Sequence, residues 1–129
     1  MKQVVSVSLG SSQRNHKVET EILGEEFVIE RIGTDGDKQR AIELIRELDG
    51  KVDAFGMGGI DLYIVAGKRR YVIRDAVPLA EAAEKTPIVD GSGLKNTLER
   101  RAIRELVDKH QIELAGKTAL MVSAVDRFG

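Results

Sequence analysis

The strongest constraint in this 129-residue chain is an alternation between two hydrophobic periods. Residues 4–9 (VVSVSL) are a short apolar run with the β-branched content of a buried strand. Residues 18–33 divide around Leu23-Gly24-Glu25 into two alternating runs, VETEIL and FVIERI, which predicts a β-hairpin. The period then changes. Ala41, Leu44, Ile45 and Leu48 recur at the spacing of one helix face. Cap oxygens in Thr34-Asp35-Gly36-Asp37 precede that helix, and Gly50 is placed to stop it. Residues 52–55 (VDAF) return to strand and run into Gly56-Met57-Gly58-Gly59, which reads as a loop.

The switching continues toward the C-terminus. Residues 62–65 and 71–73 flank a turn at Gly67-Lys68 and predict a second hairpin. Asp75 is placed to cap a helix that begins near Pro78 and buries Leu79, Ala80, Ala82 and Ala83. That helix must stop by Thr86, because Pro87 disfavours helix at the residue before it. Ile88-Val89 is a short strand and Asp90-Gly91-Ser92-Gly93 a turn. A long helix follows, with Leu94, Leu98, Ala102, Ile103, Leu106 and Val107 on one face, and Gly116-Lys117 introduce a last strand over residues 118–122. Strands alternating with helices predict an α/β fold: a mostly parallel sheet with helices on both faces and β-hairpin insertions. Residues 1–115 read as one domain. Residues 116–129 are either its last strand or the opening of a second, nucleotide-binding-like domain of a longer protein.

Composition narrows the function classes. Zero cysteines exclude disulfide frameworks, thiol catalysis and thiolate zinc sites, and two histidines far apart argue against a histidine metal cluster. No metal is expected. A formal net charge of −1 lacks the basic excess of a nucleic-acid binder. The apolar runs are far shorter than the ~20 residues that span a bilayer, and the N-terminus has no secretion-signal core. The expected setting is the cytoplasm and the expected partner a small molecule, with neither nucleic acid nor membrane.

Polar and glycine-rich residues gather after four of the predicted strands: residues 10–16, 56–61, 90–96 and 123–127. If the strands are parallel, these loops share the edge at which open α/β sheets bind ligands. Gly58 and Gly59 would let backbone approach a ligand, or simply make a tight turn, with Asp61 beside them. Ser92 opens a helix whose free N–H groups favour an anion, with Lys95 and Asn96 in its first turn; Ser92 as a plain cap is the alternative. Arg14 and His16 could hold a carboxylate or shift a proton, or be solvated loop residues, and Ser11 shares their loop. Ser6 and Ser8 alternate on one strand face. The clusters at residues 38–40, 68–70 and 99–101 read as solvated surface.

Residues 88–93 (IVDGSG), the helix from Leu94, and residues 116–122 (GKTALMV) resemble the shikimate/quinate dehydrogenase family. There an Asn-Thr-Asp-Gly-x-Gly turn leads through a helix to a Gly-Lys pair opening the NADP-binding domain. Most of the chain also resembles bacterial proteins catalogued as quinate 5-dehydrogenases, of which this would be the N-terminal, substrate-binding part. The resemblance implies that Asp90 is the catalytic aspartate, with Lys95 standing in for the family's lysine, whose Val-Thr-x-Pro-x-Lys segment is absent here. It implies NADP or NAD as cofactor of the full-length protein, bound near Ser123, Asp126 and Arg127. Those residues replace the family's Gly-Ala-Gly-Gly turn, and an aspartate there repels pyrophosphate.

Two function classes follow. The first is the substrate-binding domain of an oxidoreductase acting on a hydroxylated carboxylic acid, with Asp90 and Lys95 as proton-moving residues and Ser8, Ser11, Arg14, His16, Gly58, Gly59, Asp61, Ser92 and Asn96 around the substrate. The second is a non-catalytic α/β module that binds a small anionic metabolite or a partner domain. A third, structural role would show as an exposed apolar face and a homodimer.

Overall fold

A computed structural model describes residues 1–110 and 112–126 of the chain. They divide into two compact units, residues 1–62 with 73–91 and residues 63–72 with 92–129. The domain boundary read from the sequence, at residues 115 and 116, lies inside the second unit.

The first unit is mixed α/β and built on a five-stranded, mostly parallel sheet. Its strands are β1 (Lys2–Ser8), β2 (His16–Ile22), β3 (Glu25–Gly33), β4 (Ala54–Gly58) and, after the hairpin β5–β6 of the second unit, β7 (Ile88–Val89). Their order is β2-β3-β1-β4-β7, with β3, β1, β4 and β7 parallel and only the edge strand β2 antiparallel. The predicted hairpin forms, turning through Leu23 and Gly24 at positive φ.

Alternation along β1 sets the two faces. Val5 and Val7 point to one side, with Phe55 and Met57 level on β4, Ile32 level with Val7 on β3, and Ile88 level with Phe55 on β7. Helix α1 (Lys38–Leu48) lays Ala41, Ile42, Leu44 and Ile45 on that side, capped by the Asp37 carboxylate, which accepts from the Arg40 N–H at 2.9 Å. Helix α2 (Val77–Ala80) adds Leu79, flanked by Ala76 and Ala82. Phe55, Ile45 and Leu79 are fully enclosed, and each contributes about 1.5–3 kcal/mol of burial. The opposite face of β1 and β4 carries Val4, Ser6 and Ser8 level with Ala54, Gly56 and Gly58.

Several local expectations are corrected. Strand β4 covers Gly56-Met57-Gly58, which the sequence suggested was a loop. The chain stays extended because a Cβ on Gly56 would sit 3.3 Å from that of Ser6, and one on Gly58 2.8 Å from that of Ser8. His16 is not a loop residue but the first of β2, paired across the ladder with Arg31. The helix expected to begin near Pro78 and stop by Thr86 is only the four residues of α2, preceded by a 3₁₀ turn (Arg74–Ala76). Asp75 makes no cap there and pairs instead with Lys38 at 3.0 Å. The helix cannot continue, because the Asp49 carboxylate takes the backbone N–H groups of Glu84, Lys85 and Thr86 at 2.8–3.1 Å.

The second unit holds the antiparallel hairpin β5 (Tyr63–Ala66) and β6 (Arg69–Val72), with the Arg70 guanidinium 4.0 Å from the centre of the Tyr63 ring. A continuous helical run begins at Ser92: α3 (Ser92–Leu94), a π-helical turn (Lys95–Glu99) and α4 (Arg100–His110). The strand expected over residues 118–122 does not form, and Leu120 and Val122 lie open to solvent at 93% and 98% exposure. Among the described residues, no neighbouring strand lends them a ladder.

Candidate anion site at the carboxyl edge of the sheet

Because β1, β3, β4 and β7 are parallel, their carboxyl ends open on one rim of the first unit. Backbone bonds knit that rim. Leu9 N–H donates to the Gly58 carbonyl (2.9 Å), Thr34 N–H to Ser8 (2.8 Å), Asp35 N–H to Gly10 (3.0 Å) and Gly36 N–H to Leu9 (2.8 Å). The loop after β1 is pinned as well: the Ser12 N–H donates to Asp35 Oδ1 at 2.7 Å, and the Gly33 N–H donates to Asn15 Oδ1 at 2.6 Å. Hydrogen bonds from the Ser12 hydroxyl, the larger influence, and from its N–H hold the Asp35 carboxyl below its ordinary range. A rigid loop with satisfied amides is a frame on which side chains can be aimed.

Two guanidinium groups converge on this frame. Arg31, from β3, donates through Nη2 to the buried Ser8 hydroxyl (3.0 Å) and through Nη1 to the Ser11 carbonyl (3.0 Å). The Ser8 hydroxyl also accepts the Gly10 N–H at 3.0 Å. Arg14, from the 3₁₀ turn Ser12–Arg14, brings its own Nη2 to the same place. A Cβ on Gly10 would lie 2.8 Å from Arg31 Nη2 and 3.0 Å from Arg14 Nη2. Gly10 thus leaves open the space above which both cations meet. Neither arginine forms an ion pair among the described residues. Two positive groups side by side repel, so the arrangement favours an anion, and the planar forks suit a carboxylate or phosphate.

Of the residues singled out from the sequence, Ser8, Ser11 and Arg14 surround this point directly. Gly58 packs beneath Ser8, and Gly59, at φ +75°, faces the Gly10 backbone, where a Cβ would lie 3.0 Å from the Gly10 nitrogen. His16 is exposed and faces Arg31 across the β2–β3 ladder. Asp90 follows β7 on the same rim, and its Oδ2 accepts the Leu62 N–H at 2.7 Å, pinning the loop that contains Asp61. Arg31 itself was missed. Its signal was present: in FVIERI it falls on the same face as Phe27 and Ile29, a charge at an apolar position.

The remaining candidates belong to the second unit. Lys95 Nζ contacts Asp126 Oδ2 at 2.8 Å, while Asp126 Oδ1 accepts the Val65 N–H (3.0 Å) and the Asp126 N–H donates to the Val65 carbonyl (2.8 Å). Asp126, 8% exposed and at φ 58°, thereby closes a local knot on β5. Ser92 is buried, and Asn96 and Ser123 are exposed. Arg127 lies outside the described residues. No group of three or more histidine, cysteine or acidic side chains gathers to hold a metal among the described residues. Nor is any helix of theirs long and apolar enough to cross a membrane.

The first unit is therefore an α/β domain with a pair of arginines at the carboxyl edge of its mostly parallel sheet. The chain belongs to the family described as domain of unknown function DUF8753, whose model matches residues 3–90. A second model, domain of unknown function DUF8754, matches residues 93–129. The division between them coincides with the changeover between compact units at residues 91 and 92. No curated protein and no solved structure matches the chain.

Proposed function

We propose that the first unit recognises a small hydroxylated carboxylic acid, gripping its carboxylate between Arg14 and Arg31. The convergence of those guanidiniums over Gly10 carries this reading. The Ser8 and Ser11 oxygens fix the Arg31 fork, so little side-chain entropy is lost on binding. Hydroxyls of the ligand would meet the Gly58-Gly59 backbone, where no side chain intervenes. A second helical layer over the Ser6 and Gly56 face, the usual cover of a parallel sheet, belongs to the same reading, as does a cytoplasmic setting.

Isothermal titration with quinate, shikimate and inorganic phosphate tests it. Binding is expected to weaken about tenfold to a hundredfold in Arg14→Gln, whose exposed side chain makes no hydrogen bond or ion pair among the described residues. Equal affinities of wild type and Arg14→Gln for every anion would rule the site out.

A catalytic reading rests on Asp90, which follows β7 on the same rim. The resemblance to shikimate/quinate dehydrogenases makes it the group that moves the hydroxyl proton while hydride passes to NADP or NAD. Quinate or shikimate with either nicotinamide, followed by absorbance of the reduced cofactor, decides that reading. A flat trace from protein that binds the acid leaves a non-catalytic metabolite-binding module.

A further inference from the structure

Helix α4 and the π turn before it present an apolar stripe that stays largely exposed among the described residues. Leu98 is 59% exposed, Ile103 42%, Leu106 39% and Val107 41%, although the spacing of these residues is that of a buried helix face. Leu98, Ala102 and Leu106, each four residues from the next, share one line along it. With Arg101, Glu105 and His110 they border an open hollow of about 500 Å³. Isolated exposed apolar side chains are ordinary, but a continuous row of them along one helix marks an interaction surface.

The charges on its border identify the occupant. Arg101 and Glu105 stand on the same edge of the stripe, one residue before Ala102 and Leu106 respectively. Glu105 is bonded to Lys109 at 2.7 Å on its own helix, whereas Arg101 makes no ion pair among the described residues. Suppose two copies of α4 lie antiparallel about a twofold axis, with Ala102 of each opposite Leu106 of the other. The small residue then receives the large one twice, as close packing of helices requires. The same register brings Arg101 of each copy beside Glu105 of the other, giving two reciprocal ion pairs on one edge. A twofold interface needs a surface complementary to itself, and opposite charges set symmetrically about its centre supply that.

We propose that α4 is a self-association face and that its occupant is α4 of a second copy, antiparallel, with Ala102 against Leu106 and Arg101 against Glu105. This does not rest on the anion site. Sedimentation of the full chain and of three charge variants tests it. The wild type is expected to sediment as a dimer. Arg101→Glu and Glu105→Arg, exposed changes that leave helical circular dichroism intact, are each expected to weaken self-association about tenfold. The double variant Arg101→Glu/Glu105→Arg restores the pairs with their signs exchanged and is expected to recover dimerisation. A monomeric wild type, a dimer indifferent to both single reversals, or a double variant no better than the singles would each overturn the proposal.

Discussion

The two units treat the same kind of amphipathic helix in opposite ways. Helix α1 buries Ala41, Ile42, Leu44 and Ile45 against β1 and β4, whereas α4 leaves every residue from Arg100 to His110 exposed. The difference lies in what is available to cover each helix. The first unit has a sheet whose Val5, Val7, Phe55 and Met57 form an apolar plane, while the second has a short hairpin with a basic, solvated strand β6. Charge divides similarly: acidic residues outnumber basic ones in the first unit, and the reverse holds in the second. An anion gripped by Arg14 and Arg31, as proposed, would be held by local geometry against the net field of its own domain.

The sharpest way to break this contrast is truncation. Phe55→Ala is expected to cost about 3–5 kcal/mol in urea unfolding, since it empties a fully enclosed position at the centre of the sheet. Leu106→Ala, placed in the Arg101→Glu background and measured at low protein concentration so that self-association contributes little, is expected to stay within about 0.5 kcal/mol of that background. Comparable losses from the two would mean that α4 is covered.

A smaller effect is expected from Gly58→Val. Its Cβ would meet that of Ser8 at 2.8 Å between paired strands, so the variant should lose about 1–3 kcal/mol in the same assay. An unchanged midpoint would mean that β4 does not lie against β1 in this register.

How much of this was legible depended on whether the signal was local. The β2–β3 hairpin and α1 were, because turn residues, caps and period all agree within one segment. Strand β4 was misjudged at Gly56 and Gly58 because the reason for glycine there is Ser6 and Ser8, some fifty residues earlier in the chain. The truncated α2 was missed for a similar reason, since the Asp49 carboxylate that ends it arrives from another segment. In residues 118–122 the strand pattern was present and the partner was not. At the site, Arg14 and the serines announced themselves as a polar loop after a strand. Arg31 did not, because only the pairing of β3 with β1 brings it over Ser8.

Asp49 sharpens the comparison through pH. Desolvation alone would raise its pKa, but the N–H groups of Thr86, Glu84 and Lys85 outweigh it and hold the carboxyl below the ordinary aspartate value of 3.8. A depressed carboxyl stabilises the fold above its unfolded value, and that contribution is lost as pH falls through the folded one. Asp53, lowered by the Gln3 N–H and Lys2, acts in the same direction. The first unit should therefore lose melting temperature below pH 3.8, and Asp49→Asn should lower it at neutral pH while flattening that acid response. A variant as acid-sensitive as the wild type would remove Asp49 from the account.

The smallest change is expected from Lys95→Met. The variant removes the Lys95 contact to Asp126 but leaves its bonds to Val65 in place, so amide exchange should quicken around residues 63–66 while the first unit stays as it was. Slowed opening of the sheet strands would contradict that separation.

The claim on which the functional account stands is that one carboxylate sits between two guanidiniums at the end of β1. Nitrogen–proton correlation spectra recorded while quinate is added address it residue by residue. The account predicts saturable shifts of the Gly10, Ser11 and Ser12 amides together with the side-chain Nε–H signals of Arg14 and Arg31. Shifts confined to the basic hairpin at residues 67–72, or a spectrum that does not move, would contradict it.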